Sequence, residues 1–220
     1  MRPVVIFGAG EFAEVAHFYL THDSDKKIAA FTVDSDRITT GQFNGLPVIA
    51  FEELTQSHPS SDFDMLVAVG YSRMNQGRAD KCLQAKEKGY RLISYICSKS
   101  VVWPGLKIGE NCFILENMTI QPFVTIGNNV TLWSGNHIGH HSRIGDNCFL
   151  TSHVVVSGGV EIGNNCFLGV NATIRDHIKI APHCVIGANT LILKDTQEKG
   201  VYIGNPAELS KVPSDRLKKL

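Results

Sequence analysis

From Val102 onward every sixth residue of the chain is aliphatic: Val102, Ile108, Ile114, Ile120, Ile126, Leu132, Ile138, Ile144, Leu150, Val156, Ile162, Leu168, Ile174, Ile180, Ile186 and Ile192. No step is missed and no loop breaks the register. A helix repeats its apolar face every 3.6 residues and a half-buried strand every two, so neither yields a period of six. A hexapeptide repeat does, and it specifies a parallel β-helix of short stacked strands. A period of eighteen is written over the six. Ile108-Gly109-Glu110-Asn111, Ile126-Gly127-Asn128-Asn129, Ile144-Gly145-Asp146-Asn147 and Ile162-Gly163-Asn164-Asn165 repeat one corner. Three hexapeptides therefore make one triangular coil. Asparagine suits its corners because it tolerates left-handed backbone.

The cysteines follow the same frame. Cys112, Cys148, Cys166 and Cys184 each fall four residues after an aliphatic, at an inner corner position, and form one column. Cys82 lies in a helical pattern and Cys97 at a strand end, and no Cys-x-x-Cys occurs. These thiols read as reduced core fillers, inert by position, in a cytoplasmic protein. The 21 basic and 21 acidic residues balance, so no basic patch argues for nucleic acid. No apolar run approaches the roughly 20 residues needed to cross a bilayer, and the start shows no signal-peptide architecture.

Residues 1–97 have another character. Strands are expected over 4–7, 27–33, 47–50, 64–69 and 91–96, with helices over 11–20, 51–56 and 74–88. Their alternation implies a small parallel α/β domain. A β-helix domain over 98–207 follows, and 208–220 is a tail with a closing helical turn from Pro213. Gly8-Ala9-Gly10 after the first strand is half of a dinucleotide fingerprint, with Ala13 in place of the third glycine. Glycines there let backbone approach a phosphate at a helix N-terminus. Asp34, closing the second strand, stands where an acid binds a ribose hydroxyl, and Gly70 closes the fourth strand at the same crevice. Tyr71 and Arg73 are placed to touch a base or diphosphate. Half of a doubly wound fold suits a mononucleotide or nucleotide-sugar better than a whole NAD. A tight turn without ligand is the competing reading.

The regular wall of the coil is interrupted at Asn136-His137-Ile138-Gly139-His140-His141. The frame puts His140 on the rung and His141 at the corner. One coil later come Ser157-Gly158-Gly159, nearly without side chains. A small-residue notch beside an imidazole suits a thin ligand and its reacting end, and backbone N–H groups there could serve an oxyanion. Imidazole is the side chain that exchanges protons at neutral pH. A zinc site is the competitor. His177, the nearest corner histidine in the His141 column, stands two coils away, about 10 Å at about 4.8 Å per coil, too far to share one metal. A metal across a subunit interface stays open.

The Val5-Ile6-Phe7-Gly8-Ala9-Gly10 strand and loop, the hexapeptide coil and the late Lys199-Gly200-Val201-Tyr202-Ile203-Gly204-Asn205-Pro206 recur in order. Together they resemble the sugar acyltransferases of the sialic acid O-acetyltransferase and bacillosamine-pathway N-acetyltransferase type. The resemblance implies a left-handed β-helix behind a Rossmann-like domain, three chains associated in parallel, and acetyl-CoA as co-substrate without a metal. It implies His140 as general base. Members of that family often carry Glu directly after it, where this chain has His141, the second catalytic candidate. A nucleotide-linked sugar would lie against Gly8, Ala9, Gly10, Asp34, Gly70, Tyr71 and Arg73, with Asn136 beside its reacting end. The sugar would reach His140 at a subunit interface. Acyl-CoA would follow Gly158, Val170 and Ala188 to Gly204, Asn205 and Pro206. The implied activity is N-acetylation of a UDP- or TDP-4-amino-4,6-dideoxy sugar for surface-glycan synthesis. The alternatives are a sialic-acid-type O-acetyltransferase and a non-catalytic nucleotide-binding trimeric scaffold.

Overall fold

The computed structural model describes residues 2–206. The helical turn expected from Pro213 lies outside them. The chain opens with β1 (Val4–Phe7), α1 (Glu11–His22), β2 (Ile28–Val33), β3 (Gln42–Phe43), β4 (Leu46–Ala50), α2 (Leu54–Ser57), β5 (Asp64–Val67), α3 (Gln76–Glu87) and β6 (Arg91–Leu92). These strands form one sheet in the order β3-β4-β2-β1-β5-β6, parallel except for the β3–β4 hairpin. That hairpin, absent from the sequence reading, turns at Asn44-Gly45 with both residues at positive φ. Ala13, Ala16 and Leu20 of α1 cover one face of the sheet against Val4, Ile6, Phe31 and Leu66. Cys82 and Ala85 of α3 cover the other against Val5, Met65 and Val67. Strand order reverses between β1 and β5, so the crevice at their carboxyl ends is the topological switch point.

Three expected elements are revised, the first being α2, which starts at Leu54 rather than at residue 51. Helix α3 starts at Gln76 rather than at residue 74, because Arg73, Met74 and Asn75 have φ of 50°, 53° and 66°. Left-handed backbone cannot continue a right-handed helix. The single strand expected over 91–96 is two. β6 pairs with β5, whereas β7 (Tyr95–Ile96) pairs with Phe113-Ile114 as the first rung of the coil. Ser94 holds the hand-over, donating its hydroxyl to Gly109 O (2.7 Å) and accepting the Cys112 N–H (2.9 Å).

From β7 onward each strand is two residues long, ends on the repeating aliphatic until the last pair, Val201–Tyr202, and pairs in parallel with the next coil. The coil is a left-handed β-helix. Its corners turn on one residue at positive φ every six positions from Gly105 to Asn189, most of them Asn or Gly. Cys112, Cys148, Cys166 and Cys184 are fully buried among the aliphatics. Burying one such aliphatic contributes about 1.5–3 kcal/mol, and the column repeats that gain coil after coil.

The three faces differ outward. The first carries Tyr95, Phe113, Thr131, Phe149 and Phe167; the second Val101, Thr119, His137, Val155, Thr173 and Leu191; the third Lys107, Thr125, Arg143, Glu161 and Lys179. The α/β sheet docks on the first. Phe12 of α1 meets Phe113 edge-on with ring centroids 5.6 Å apart and also contacts Trp133 and Phe149. At the corner between the third and first faces, Asn111 accepts the Val67 N–H (2.8 Å) and donates to Val67 O (3.2 Å), so its amide extends the sheet beside β5. The ladder continues from Asn111 to Asn129 (2.9 Å) and from Asn129 to Asn147 (2.8 Å).

Arg78 locks the joint. It is 1% exposed and donates to Asn129 Oδ1 (2.8 Å), Asn129 O (3.1 Å), Cys148 O (3.3 Å), Gly70 O (3.2 Å) and Asn75 Oδ1 (3.3 Å). Neutral acceptors take its charge, and burial pulls the guanidinium down to about 10.

Candidate active site

The turn after His137–Ile138 places both histidines. Each strand ends on its aliphatic, so the third residue of the frame is already turning and His140 stands in the corner beside His141, not on the rung. His141 takes the left-handed position with φ 60°. The His140 N–H donates to Gln121 Oε1 (2.8 Å) and the His141 N–H to Pro122 O (3.2 Å), fixing the turn to the coil before it. The His140 imidazole lies directly on Gly158. A Cβ at Gly158 would stand 2.6 Å from Cε1 and 2.7 Å from Nε2. The small-residue notch is therefore the seat of the base itself, rather than an empty groove beside it. The two rings stand nearly perpendicular with Nδ1 to Nδ1 at 3.1 Å, and Phe123 lies tilted against His141 with centroids 4.6 Å apart. Among the described residues neither ring hydrogen-bonds to a carboxylate.

Asn136 does not belong to a binding surface. It is 1% exposed, donates its amide to Trp133 O (2.5 Å) and accepts the Val154 N–H (2.6 Å). Inner corner positions point into the coil, and a polar residue there caps an N–H of the next coil. Ser142 does the same for Val160 (3.2 Å). Among the described residues no group of three or more His, Cys, Asp or Glu is placed to hold a metal.

The glycine loop sits at the switch point. Gly8 has φ 127°, and a Cβ there would stand 2.6 Å from Ala68 O, so packing alone demands glycine. Gly10 has ordinary extended backbone and open space around its α-carbon. Glycine at 10 thus serves nothing inside the chain. Gly70 is likewise open. Glu11 and Glu14 occupy the first turn of α1 and oppose a phosphate at that helix end. Asp34 is held by Lys81 (2.6 Å). Tyr71, though 57% exposed, rests on Phe149 and Phe167 of the coil with centroids 5.1 and 4.9 Å away. Arg73 pairs with Asp80 (3.0 Å).

The remaining positions separate by corner. Val170 and Ala188 stand in one column between the first and second faces, and the backbone of Gly204 packs on the Ala188 carbonyl. Gly204 and Asn205 line a hollow of about 270 Å³ with Thr190 and Ile203, and Pro206 follows at the end of the described chain. Gly158 and the histidines stand between the second and third faces. Their corner is opposite the face on which the α/β sheet docks.

Comparison with known proteins places this geometry. The family model described as bacterial transferase hexapeptide (six repeats) matches residues 123–158 and 159–194. No curated protein matches the sequence. Among solved structures, a perosamine N-acetyltransferase from Caulobacter crescentus in complex with CoA and GDP-perosamine is 26% identical. The match covers 96% of this chain and 97% of that one, with a TM-score of 0.84. The acetyltransferase domain of PglB from Neisseria gonorrhoeae is 24% identical over 94% and 99%, with a TM-score of 0.80. WeeI from Acinetobacter baumannii is 18% identical over 94% and 99%, at 0.72. The hexapeptide repeat of bacterial transferases thus runs through the coil, and the chain is similar over nearly its whole length to sugar acetyltransferases of known structure.

In this chain the residues that sequence reasoning passed over are Gln121, Phe123 and Arg78. Phe123 carried a local signal, since an aromatic at a corner reserved for Asn, Gly or His is costly in left-handed backbone. It is also 73% exposed. Arg78 carried none, because its acceptors lie up to 70 residues away. Among the described residues no helix is long and apolar enough to cross a membrane.

Proposed function

We propose that this protein is an acetyl-CoA-dependent N-acetyltransferase acting on a nucleotide-linked amino sugar, with His140 as general base. The observation that carries the reading is the imidazole of His140 seated on Gly158 in a chain that superposes almost end to end on an N-acetyltransferase holding CoA and GDP-perosamine. The α/β region holds the nucleotide. Gly10 and Gly70 offer bare backbone, Tyr71 a ring face and Arg73 the cation for a diphosphate, the α1 terminus being taken by its own glutamates. Asp34 keeps its second carboxylate oxygen for a ribose hydroxyl. The acyl donor lies over the second face, with its far end at Val170, Ala188, Gly204, Asn205 and Pro206.

One chain does not complete this site. His140 stands at the corner opposite its own α/β region, so a sugar held by one chain reaches the base of a neighbour. The second face fits such a neighbour. Val101, Val155 and Leu191 are exposed on it, and its outward strand residues include no Lys, Arg, Asp or Glu, unlike the third face. A homotrimer built around the coil satisfies both demands.

In the reaction the amine lone pair attacks the thioester carbonyl and the C–N bond forms. The departing amine proton passes to His140 Nε2. The Gly158 N–H, which has no backbone acceptor among the described residues, receives the oxyanion. Collapse breaks the C–S bond and the thiolate leaves with the proton from the imidazolium. The buried thiols need no part: burial pushes Cys112 up to about 11 and Cys82 to about 12.

The test is thiol release from acetyl-CoA with UDP-, TDP- and GDP-linked 4-amino sugars and with free sialic acid, for the wild type and His140→Ala. Rapid release with one nucleotide-linked amine, lost in the variant, supports the reading. Release only with a hydroxyl acceptor moves it to an O-acetyltransferase. Undiminished turnover in the variant removes the base, and silence with every acceptor and no CoA binding leaves a scaffold.

A further inference from the structure

A nitrogen-to-nitrogen contact of 3.1 Å between two imidazoles is a hydrogen bond only when one Nδ1 carries the proton and the other a lone pair. The pair therefore has a direction, and the direction decides which far nitrogen is basic. His140 is the ring whose Nε2 edge lies on Gly158. We propose that His141 is a positioning residue that accepts the His140 Nδ1–H and so leaves the Nε2 lone pair of His140 at the notch. The inference rests on the function proposed above but reaches beyond it, to how the base is set.

Three features hold His141 for this task. Its backbone is fixed in the left-handed corner conformation, its N–H is tied to Pro122 O, and its ring lies tilted against Phe123. Gln121 fixes the His140 backbone, and Gly158 fixes the ring plane. The other titratable groups nearby are His137 on the strand before, Arg143 on the strand after, and Asp176 and His177 on the next turn of this corner. The His177 ring is seated on Gly159. None of these hydrogen-bonds to either ring. When His140 takes the substrate proton, its Nδ1–H bond to His141 becomes charge-assisted and strengthens at the step that needs it.

The test uses the full chain labelled with ¹⁵N-histidine, with His141→Gly and His141→Glu. Glycine keeps the corner, since Gly105 and Gly159 hold the same position in the column. Long-range ¹H–¹⁵N correlations at mildly alkaline pH are expected to show His140 protonated at Nδ1 in the wild type. In His141→Gly the population moves toward the Nε2–H form. With the acceptor found above, kcat falls about 10–100-fold in His141→Gly while the KM for acetyl-CoA holds. In His141→Glu it returns to within a few-fold, and the acid limb of kcat/KM moves to higher pH by about one unit, because a carboxylate stabilises the imidazolium more than a neutral ring does. An Nε2–H His140 in the wild type, or a His141→Gly protein with unchanged tautomer and kcat, overturns the proposal. Should no acceptor be turned over, the tautomer alone decides it, and the loss of the catalytic reading is then a separate result.

Discussion

His140 lies on the α-carbon of Gly158, eighteen residues and one coil away, with Nε2 at 2.7 Å from where a methyl group would stand. Gly158→Ala is expected to push the ring off its seat without disturbing the coil, since the clash meets a movable side chain. Activity should drop at least about 10-fold, because displacing a reacting group by about 1 Å is that costly. Thermal melting checks that the fold is intact while thiol release reads the loss.

The two loop glycines answer differently to alanine. Gly8→Ala combines φ 127° with a clash against Ala68 O and should destabilise by about 2 kcal/mol or more. Gly10→Ala has room and ordinary backbone, and as the start of α1 should cost within about 1 kcal/mol. Yet its methyl stands where the nucleotide would approach, so the KM for the sugar nucleotide should rise about 10-fold or more with that for acetyl-CoA unchanged. Equal KM values in Gly10→Ala and wild type would remove the loop from the site.

Arg78→Met leaves the buried Asn75 Oδ1 and the Asn129 carbonyl without their donor. The expected cost is about 3 kcal/mol. Urea unfolding should then show helical signal lost before the β-helix signal, because the joint goes first.

Asp23 ties the end of α1 to the first coil, accepting Tyr95 OH (2.6 Å), the Ser98 N–H (2.8 Å) and the Ser98 hydroxyl. The Ser98 hydroxyl is the largest of the causes that hold its carboxyl well below the usual range, with Tyr95 next. A depressed carboxylate stabilises the fold above its unfolded titration near about 4 and loses that contribution as pH falls toward the folded value. Stability should therefore decline below about pH 4 more steeply in the wild type than in Asp23→Asn, which denaturant midpoints at pH 7, 4 and 3 would read.

The coil was legible because its signal is redundant. Each aliphatic stop agrees with the others, and Asn111, Asn129, Asn147 and Asn165 mark one corner four times over. The Gly8-Ala9-Gly10 loop was legible as a turn, but only the structure separates Gly8, which packing requires, from Gly10, which it does not. Asn136 misled because an amide next to histidines reads as a site, while the inner corner position that buries it differs by one residue from the exposed turn. The frame error at His140 has the same origin. With strands of only two residues, a shift of one decides between rung and corner. Residues 91–96 read as one strand because nothing local marks the change of sheet at Ser94.

Among the described residues, the hydrogen bonds and ring contacts of the α/β region reach along the coil as far as Cys166 and Phe167, through Asn75 and Tyr71. Val170, Ala188 and Gly204 follow past that point. Coil length is thus a graduated ruler: an insertion of eighteen residues past this joint would lengthen the donor end by about 4.8 Å while leaving every docking contact in place. An insertion that is not a whole multiple of eighteen residues would throw the corner columns out of step. The architecture lets reach toward the tail of a long ligand be adjusted in whole notches, independently of the machinery that grips the sugar.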